Sequence, residues 1–133
     1  MNSDDENSSI FKSLNSKIKI RIKKTYIDKV NYINNLNGYI NFNNNKINDL
    51  KLQSTFPNQK KINLSIKKNN KSETITKLTS AYPKPLVKRY DFIKGFEEGY
   101  LNFYSSKKGG VSNSVLVIDN FKVKEVPIFA KLL

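Results

Sequence analysis

The stretch Lys17-Ile18-Lys19-Ile20-Arg21-Ile22-Lys23 decides the fold prediction, because isoleucine occupies every second position and a basic residue occupies the positions between. Successive side chains of a β-strand point to opposite faces, so this pattern predicts a strand with one apolar face and one wet, basic face. Isoleucine also favours extended backbone because it is branched at Cβ. The positive charge of this segment is therefore organised as a stripe.

Further alternating or apolar runs extend the β prediction along the rest of the chain. They predict roughly six or seven short strands, with no heptads and no internal repeat. We therefore expect a mainly β protein, a small OB-like antiparallel β-barrel or a sandwich, with at most one short helix. The runs lie at residues 30–33, 39–42, 47–52, 62–66, 74–78, 101–103 and 115–126.

Local signals mark the connections between these runs. Asn37-Gly38 predicts either a hairpin turn or a bulge inside one long strand, because both residues tolerate positive φ. Pro83 and Pro85 predict an extended connection, and residues 88–98 are the best place for the short helix.

The C-terminal third carries two further signals. Residues 105–110 read as a turn that presents Lys107 and Lys108. The consecutive apolar residues 115–118 predict a strand that is covered on both faces.

A chain of 133 residues suffices for one compact domain and is short for two. We expect residues 1–9 to form a disordered polar tail and residues 10–126 to form a single β-rich nucleic-acid-binding domain. Residues 127–133 are apolar, and we expect them to pack on the barrel, on a second protomer or on a larger assembly.

The charge balance points to a polyanionic partner. The chain has 24 Lys and Arg against 11 Asp and Glu, a formal charge of +13. A field this positive attracts nucleic acid first and an anionic membrane surface second. The abundance of Asn, Lys and Ile also indicates an AT-rich coding genome, such as that of an organelle, a virus, a plasmid or a reduced bacterium.

The composition argues against catalysis. The chain contains neither cysteine nor histidine, which excludes disulfides, imidazole-assisted nucleophiles and the usual zinc ligand sets. The acidic residues form no spaced metal-binding motif, so we expect no enzyme activity, cofactor or metal. No secretory signal and no apolar run of about 18 residues is present, which predicts no membrane span and an intracellular site of action, in the cytoplasm or an organelle matrix.

Basic residues interleaved with tyrosines are the strongest functional signal. Single-stranded nucleic-acid binders combine a positive surface for phosphates with aromatic rings on which bases stack. The alternative is that these tyrosines are ordinary strand residues with a buried ring and a wet hydroxyl. We expect Lys17, Lys19, Arg21, Lys23, Lys60, Lys61, Lys67, Lys68, Lys107 and Lys108 to attract phosphates, and Tyr32, Tyr39, Tyr90 and Tyr104 to stack bases.

Residues 94–104, 107–110 and 115–121 together resemble the closing third of OB-fold single-stranded DNA-binding proteins. In that family a lysine-glycine turn enters a strand, a hairpin loop carries basic and aromatic residues, and a last strand rich in Val and Ile closes the barrel. The resemblance implies single-stranded DNA binding of the kind used in DNA replication, and association into oligomers. The chain departs from the family in having no tryptophan platform and no long acidic C-terminal tail.

Two other functions fit the same composition. One is an RNA-binding structural component, such as an organellar ribosomal protein. The other is a non-enzymatic virion or interaction protein whose charge reflects codon usage. Scattered lysines and buried aromatic rings would favour the latter.

Overall fold

The computed structural model describes residues 15–88 and 96–123. The predicted tail at residues 1–9, the apolar segment at residues 127–133 and the predicted site residue Tyr90 lie outside the described residues.

Seven strands form one antiparallel sheet whose strand order is the order of the chain. This confirms the mainly β prediction. A single short helix, α1, lies between the fifth and sixth strands of the described chain. The elements are β1 Ser16–Tyr26, β2 Tyr32–Asn43, β3 Lys46–Thr55, β4 Lys61–Lys68, β5 Thr74–Ser80, α1 Lys84–Lys88, β6 Phe96–Lys108 and β7 Val111–Val123.

The sheet is open in the described part of the chain. β1 and β7 lie at its opposite edges, and neither is paired on its outer side. The expected OB-like barrel, which needs these edges to meet, is therefore not confirmed. Helix α1 is too short to cross a membrane, and residues 15–88 and 96–123 contain no helix that could.

The register divides the side chains into two faces. One row across the seven strands holds Ile20, Gly38, Leu52, Leu64, Leu78, Phe103 and Leu116. The neighbouring row, on the opposite face, holds Lys19, Tyr39, Lys51, Ser65, Lys77, Tyr104 and Val115. We call these surfaces the apolar face and the polar face.

The core is small, and its buried apolar residues are Ile33, Leu50, Phe56 and Leu101 among those the structure describes. Leu101 on β6 is buried and packs against partly buried Leu78, Phe103 and Ile118. Phe56 is 1% exposed. Its ring meets that of Tyr82 edge-on, with the centroids 5.1 Å apart. The turn after β3 and the segment before α1 thus bring aromatic rings to the core.

Asn37-Gly38 lies inside β2, so the hairpin alternative is wrong. The bulge of this strand lies just before the pair and not at it, because Asn37 and Gly38 keep one register with Gln53 and Leu52, whereas Asn35 has a positive φ of 53°. The register between β2 and β3 shifts between Asn34 and Asn37. The turn that joins β1 to β2 instead contains Val30, which was expected in a strand. Asp28 fixes this turn, because its Oδ1 accepts the backbone N–H groups of Val30 at 2.8 Å and Asn31 at 2.7 Å.

The extended connection predicted at Pro83 and Pro85 is wrong, because Pro85 lies inside α1. Proline is tolerated in the first turn of a helix, where its missing N–H would have no intrahelical partner. The helix predicted at residues 88–98 meets α1 only at Lys88. Residues 96–98 belong to β6, and residues 89–95 lie outside the described part.

The last hairpin differs from the prediction in two ways. Residues 105–108 continue β6, so the turn consists of Gly109 and Gly110 alone, at φ of 56° and 80°. Val115, Leu116 and Val117 are 57%, 53% and 44% exposed, so the expectation that both faces of this run are covered is wrong. An apolar run is buried only where a further strand or layer meets it, and β7 is an edge strand.

Candidate nucleic-acid interface

The basic stripe of β1 lies on the polar face. Lys17, Lys19 and Arg21 are exposed, while the isoleucines between them point to the apolar face. In β2 their register partners are Asn41, Tyr39 and Asn37. Lys23 is exposed on the same edge strand, two residues beyond Arg21. Lys17, Lys19 and Arg21, which were predicted to attract phosphates, therefore lie on one face of the sheet, as the alternation indicates.

The register adds lysines that sequence reasoning missed. Lys51 on β3 pairs with Tyr39 on one side and Ser65 on the other, and Ser65 in turn pairs with Lys77 on β5. Both lysines are exposed. The sequence did contain the pattern that identifies them. Each lysine is adjacent to a leucine that points to the apolar face, so the lysine itself must point to the polar face. The predicted residues Lys61 and Lys67 join the same face from the two ends of β4.

Tyr39 and Tyr104 lie in the same row as Lys51 and Lys77. They stand on β2 and β6, four strand spacings apart, which corresponds to about 19 Å. Tyr104 is 41% exposed. The Nζ of Lys17 lies 4.4 Å from the ring centroid of Tyr39, so this ring already receives a cation.

Acidic residues are few on the polar face, where alternation places Asp49, Glu98 and Asp119 among the described residues. The Nδ2 of Asn41 donates to both carboxylate oxygens of Asp49, at 3.1 and 3.0 Å. The basic side chains outnumber these three acids, of which Glu98 is paired with Lys122, so the face carries a net positive charge. It suits an anionic ligand that spans several strands.

Other predicted residues lie elsewhere. Lys68 and Lys107 both pair with Thr74, and alternation places them on the apolar side at the ends of their strands. Lys60 lies in the turn before β4. Its Nζ is 6.0 Å from the ring centroid of Tyr82. Lys108 is the exception: it is exposed beside the Gly109-Gly110 turn, and alternation from Tyr104 places it on the polar side at the end of β6.

Tyr32 belongs to a second aromatic cluster, at the turn between β1 and β2. Its ring centroid is 5.6 Å from that of Tyr26. The Nζ of Lys24 lies 4.1 Å from the Tyr32 centroid and 5.1 Å from the Tyr26 centroid. This cluster lies beyond the register shift of β2, away from the row that holds Tyr39.

Within residues 15–88 and 96–123, no three acidic side chains come close enough to hold a metal ion. No protein-family model, curated protein or solved structure matches the chain. The resemblance to OB-fold proteins therefore stays a prediction, and the interface is argued from its geometry.

Proposed function

We propose that this chain binds single-stranded nucleic acid along its polar face, with little sequence preference and without a catalytic step. The observation that carries the proposal is a single row across the sheet in which three lysines alternate with Tyr39, Ser65 and Tyr104. That row is Lys19, Tyr39, Lys51, Ser65, Lys77 and Tyr104.

The row supplies both parts of single-strand recognition. The lysine ammonium groups attract phosphates, and their contacts release counterions from the nucleic acid. The tyrosine rings offer surfaces for stacking, which stabilises each stacked base by about 1–3 kcal/mol whatever the base is. The roughly 19 Å between Tyr39 and Tyr104 corresponds to between five and six nucleotide steps at a stacked spacing of about 3.4 Å. A bound strand would thus cross the β-strands and meet charge between its two aromatic contacts.

Duplex binding has less support. Bases in a duplex are stacked on one another, so the tyrosine rings would gain no contact with them. Sequence-specific duplex readers commonly insert a helix into the major groove. The helix of the described chain, α1, has five residues, and its Pro83 neighbour and its own Pro85 are buried. The proposed mode of single-strand binding uses only the polar face of the open sheet, so it does not depend on closure into an OB-like barrel.

One observation favours a second candidate, an RNA-binding structural component. Lys60, Lys68 and Lys107 lie off the row, so positive charge is not confined to the polar face. A component that contacts folded RNA by charge and shape would use such dispersed lysines.

The deciding experiment compares two double variants with equal charge. Lys51→Gln/Lys77→Gln changes the row, whereas Lys29→Gln/Lys71→Gln changes exposed lysines in two turns. Binding of labelled single-stranded DNA, single-stranded RNA and duplex DNA is measured by fluorescence anisotropy at several salt concentrations. Each phosphate contact contributes about 0.7 to the slope of log affinity against log salt for a single strand. We expect the row variant to lose about 1.4 from this slope and the turn variant to lose nothing.

The outcomes separate the two candidates. Tighter binding of single strands than of duplex, with the loss confined to the row variant, supports the proposal. Equal slopes for both variants and equal affinity for all three nucleic acids would contradict it and favour the charge-driven component. Absence of binding at low salt would contradict both.

A further inference from the structure

The outer edge of β7 is a regular template to which another strand could be added. From Val111 to Ile118 the strand follows β6 without a register shift. The irregularities lie elsewhere: the register of β6 shifts between Phe96 and Tyr100, and Asn120 has a positive φ of 55°. In the described part of the chain, no strand pairs with this edge. Regular apolar edges of this kind promote pairing with another chain.

The two edges of the sheet differ in charge. β1 carries a basic residue at nearly every second position from Lys17 to Lys23, and edge lysines oppose pairing with another strand. Residues 111–118 of β7 contain no charged side chain. Two copies of a protein with a formal charge of +13 repel one another at most surfaces. The β7 edge is the strand edge where they can meet without opposing lysines.

We propose that the chain forms a symmetric dimer through antiparallel pairing of β7 with β7 of a second copy, about a two-fold axis at Leu116. An antiparallel pair of identical strands is self-complementary, as a two-fold interface requires. In this register Leu116 faces Leu116 of the partner subunit on the apolar side. On the polar side, Val115 faces Val117 of the partner subunit, so the three most exposed positions in the middle of β7 become covered.

The backbone of β7 offers the required hydrogen bonds. Lys108 and Val111 close the two-residue turn, so their N–H and C=O groups point at each other across the hairpin. Alternation then directs the backbone groups of Ser114, Leu116 and Ile118 toward the open edge. With the axis at Leu116, Leu116 pairs with Leu116 of the partner subunit, and Ser114 pairs with Ile118 of the partner subunit. The outward N–H and C=O groups of these residues then form hydrogen bonds on both chains.

The dimer joins two seven-stranded sheets into one continuous sheet. A two-fold axis perpendicular to the sheet keeps both polar faces on the same side. The dimer forms without nucleic acid, so its failure and the failure of the proposed function are separately observable.

The first test measures molar mass by light scattering after gel filtration and by sedimentation. The monomer is 15.3 kDa, so we expect the wild-type chain to give twice that mass. Leu116→Lys should return the mass to that of the monomer, because residue 116 faces its own copy across the two-fold axis and the two ammonium groups would lie directly opposite each other. Val30→Lys is the matched control, since Val30 is 72% exposed in the turn between β1 and β2. It should leave the dimer intact.

The second test fixes the register with cysteines, since the chain has none of its own. Val115 and Val117 of the partner subunit form a non-hydrogen-bonded pair with Cα atoms about 4.5 Å apart, which a disulfide can bridge. Two copies of residue 115 lie about 8 Å apart, which is too far. Oxidation of mixed Val115→Cys and Val117→Cys chains should therefore give far more cross-linked dimer than either variant alone.

Each result bears on the proposal. The dimer proposal would be overturned if the wild-type chain were a monomer at about 100 μM by both light scattering and sedimentation. This is the result expected if another segment of the same chain covered the edge of β7. A dimer that persists in Leu116→Lys would also overturn the proposal, because it would place the interface elsewhere. Cross-linking that is strongest for Val115→Cys alone would overturn the axis at Leu116.

Discussion

Gly38 of β2 leaves no room for a side chain against the backbone of β3, and replacing it with alanine should destabilise the protein strongly. A Cβ atom built on Gly38 would lie 1.8 Å from the carbonyl oxygen of Lys51, 2.8 Å from its carbonyl carbon and 3.0 Å from the Cα of Leu52. All three are backbone atoms, so no side-chain rotation relieves the overlap. The backbone φ of +148° also belongs to a region that residues with a Cβ rarely adopt.

The size of the expected destabilisation follows from the backbone of β2 and β3, which must separate to make room for the added Cβ atom. Separating the strands breaks ladder pairing around Gly38–Leu52 and Tyr39–Lys51, and each lost backbone hydrogen bond costs about 1 kcal/mol. The unfavourable φ adds about 1–2 kcal/mol. We therefore expect Gly38→Ala to lower the free energy of unfolding by roughly 3–5 kcal/mol. At about 4 °C per kcal/mol for a chain of this length, Tm should fall by roughly 12–20 °C.

The assay is thermal and urea unfolding followed by circular dichroism, with Gly109→Ala as the control. Gly109 also has a positive φ, of 56°, but a Cβ there meets no atom within 4 Å. It should lose only about 1 kcal/mol, from backbone strain alone. If Gly38→Ala and Gly109→Ala lower Tm equally, the close approach of β2 to β3 is refuted as the reason for glycine at this position.

Three further substitutions test the core, the surface and the interface. Leu101→Ala should lower the free energy of unfolding by about 2–5 kcal/mol in urea titrations, because it opens a cavity beside Leu78 and Phe103; a loss below about 1 kcal/mol would show that this core is loosely packed. Glu98→Gln should change it by less than about 0.5 kcal/mol, since the ion pair with Lys122, at 3.1 Å, is exposed on both sides. Tyr104→Ala should weaken single-strand binding by about 1–3 kcal/mol in anisotropy titrations, whereas Tyr104→Phe keeps the ring and should retain it; equal loss in both would attribute the contact to the hydroxyl.

Local patterns predicted the strands well, because an amphipathic strand repeats its environment every two residues. The stripe from Lys17 to Lys23 and the alternation around Leu64 needed no knowledge of their neighbours. The Asn37-Gly38 pair could not be resolved locally, since a turn and a bulge both accept positive φ there. Pro85 was misassigned because its effect depends on whether a helix begins just before it.

The sheet and its faces required information that no single segment contains. Lys51 and Lys77 become neighbours of Tyr39 and Tyr104 only through the register of several hairpins. Exposure of Leu116 follows from the position of β7 at the edge, which the residues of β7 themselves do not specify. The tyrosines show what local patterns cannot predict. Tyr39, Tyr104 and Tyr32 were expected to form one site, but Tyr39 and Tyr104 share a row whereas Tyr32 packs in a separate cluster.

The sequential strand order also bears on how the protein folds. Every pairing in the sheet joins strands that are adjacent along the chain, so paired residues are at most 33 positions apart, the separation between Thr74 and Lys107. Folding rates rise as the mean sequence separation of contacts falls, and short loops cost little entropy to close. During synthesis the β1–β2 hairpin can form before β3 has been made, and each later strand adds to an edge that already exists. β7 is the last of the seven strands to be synthesised, so its outer edge becomes available for pairing only once the rest of the sheet has formed.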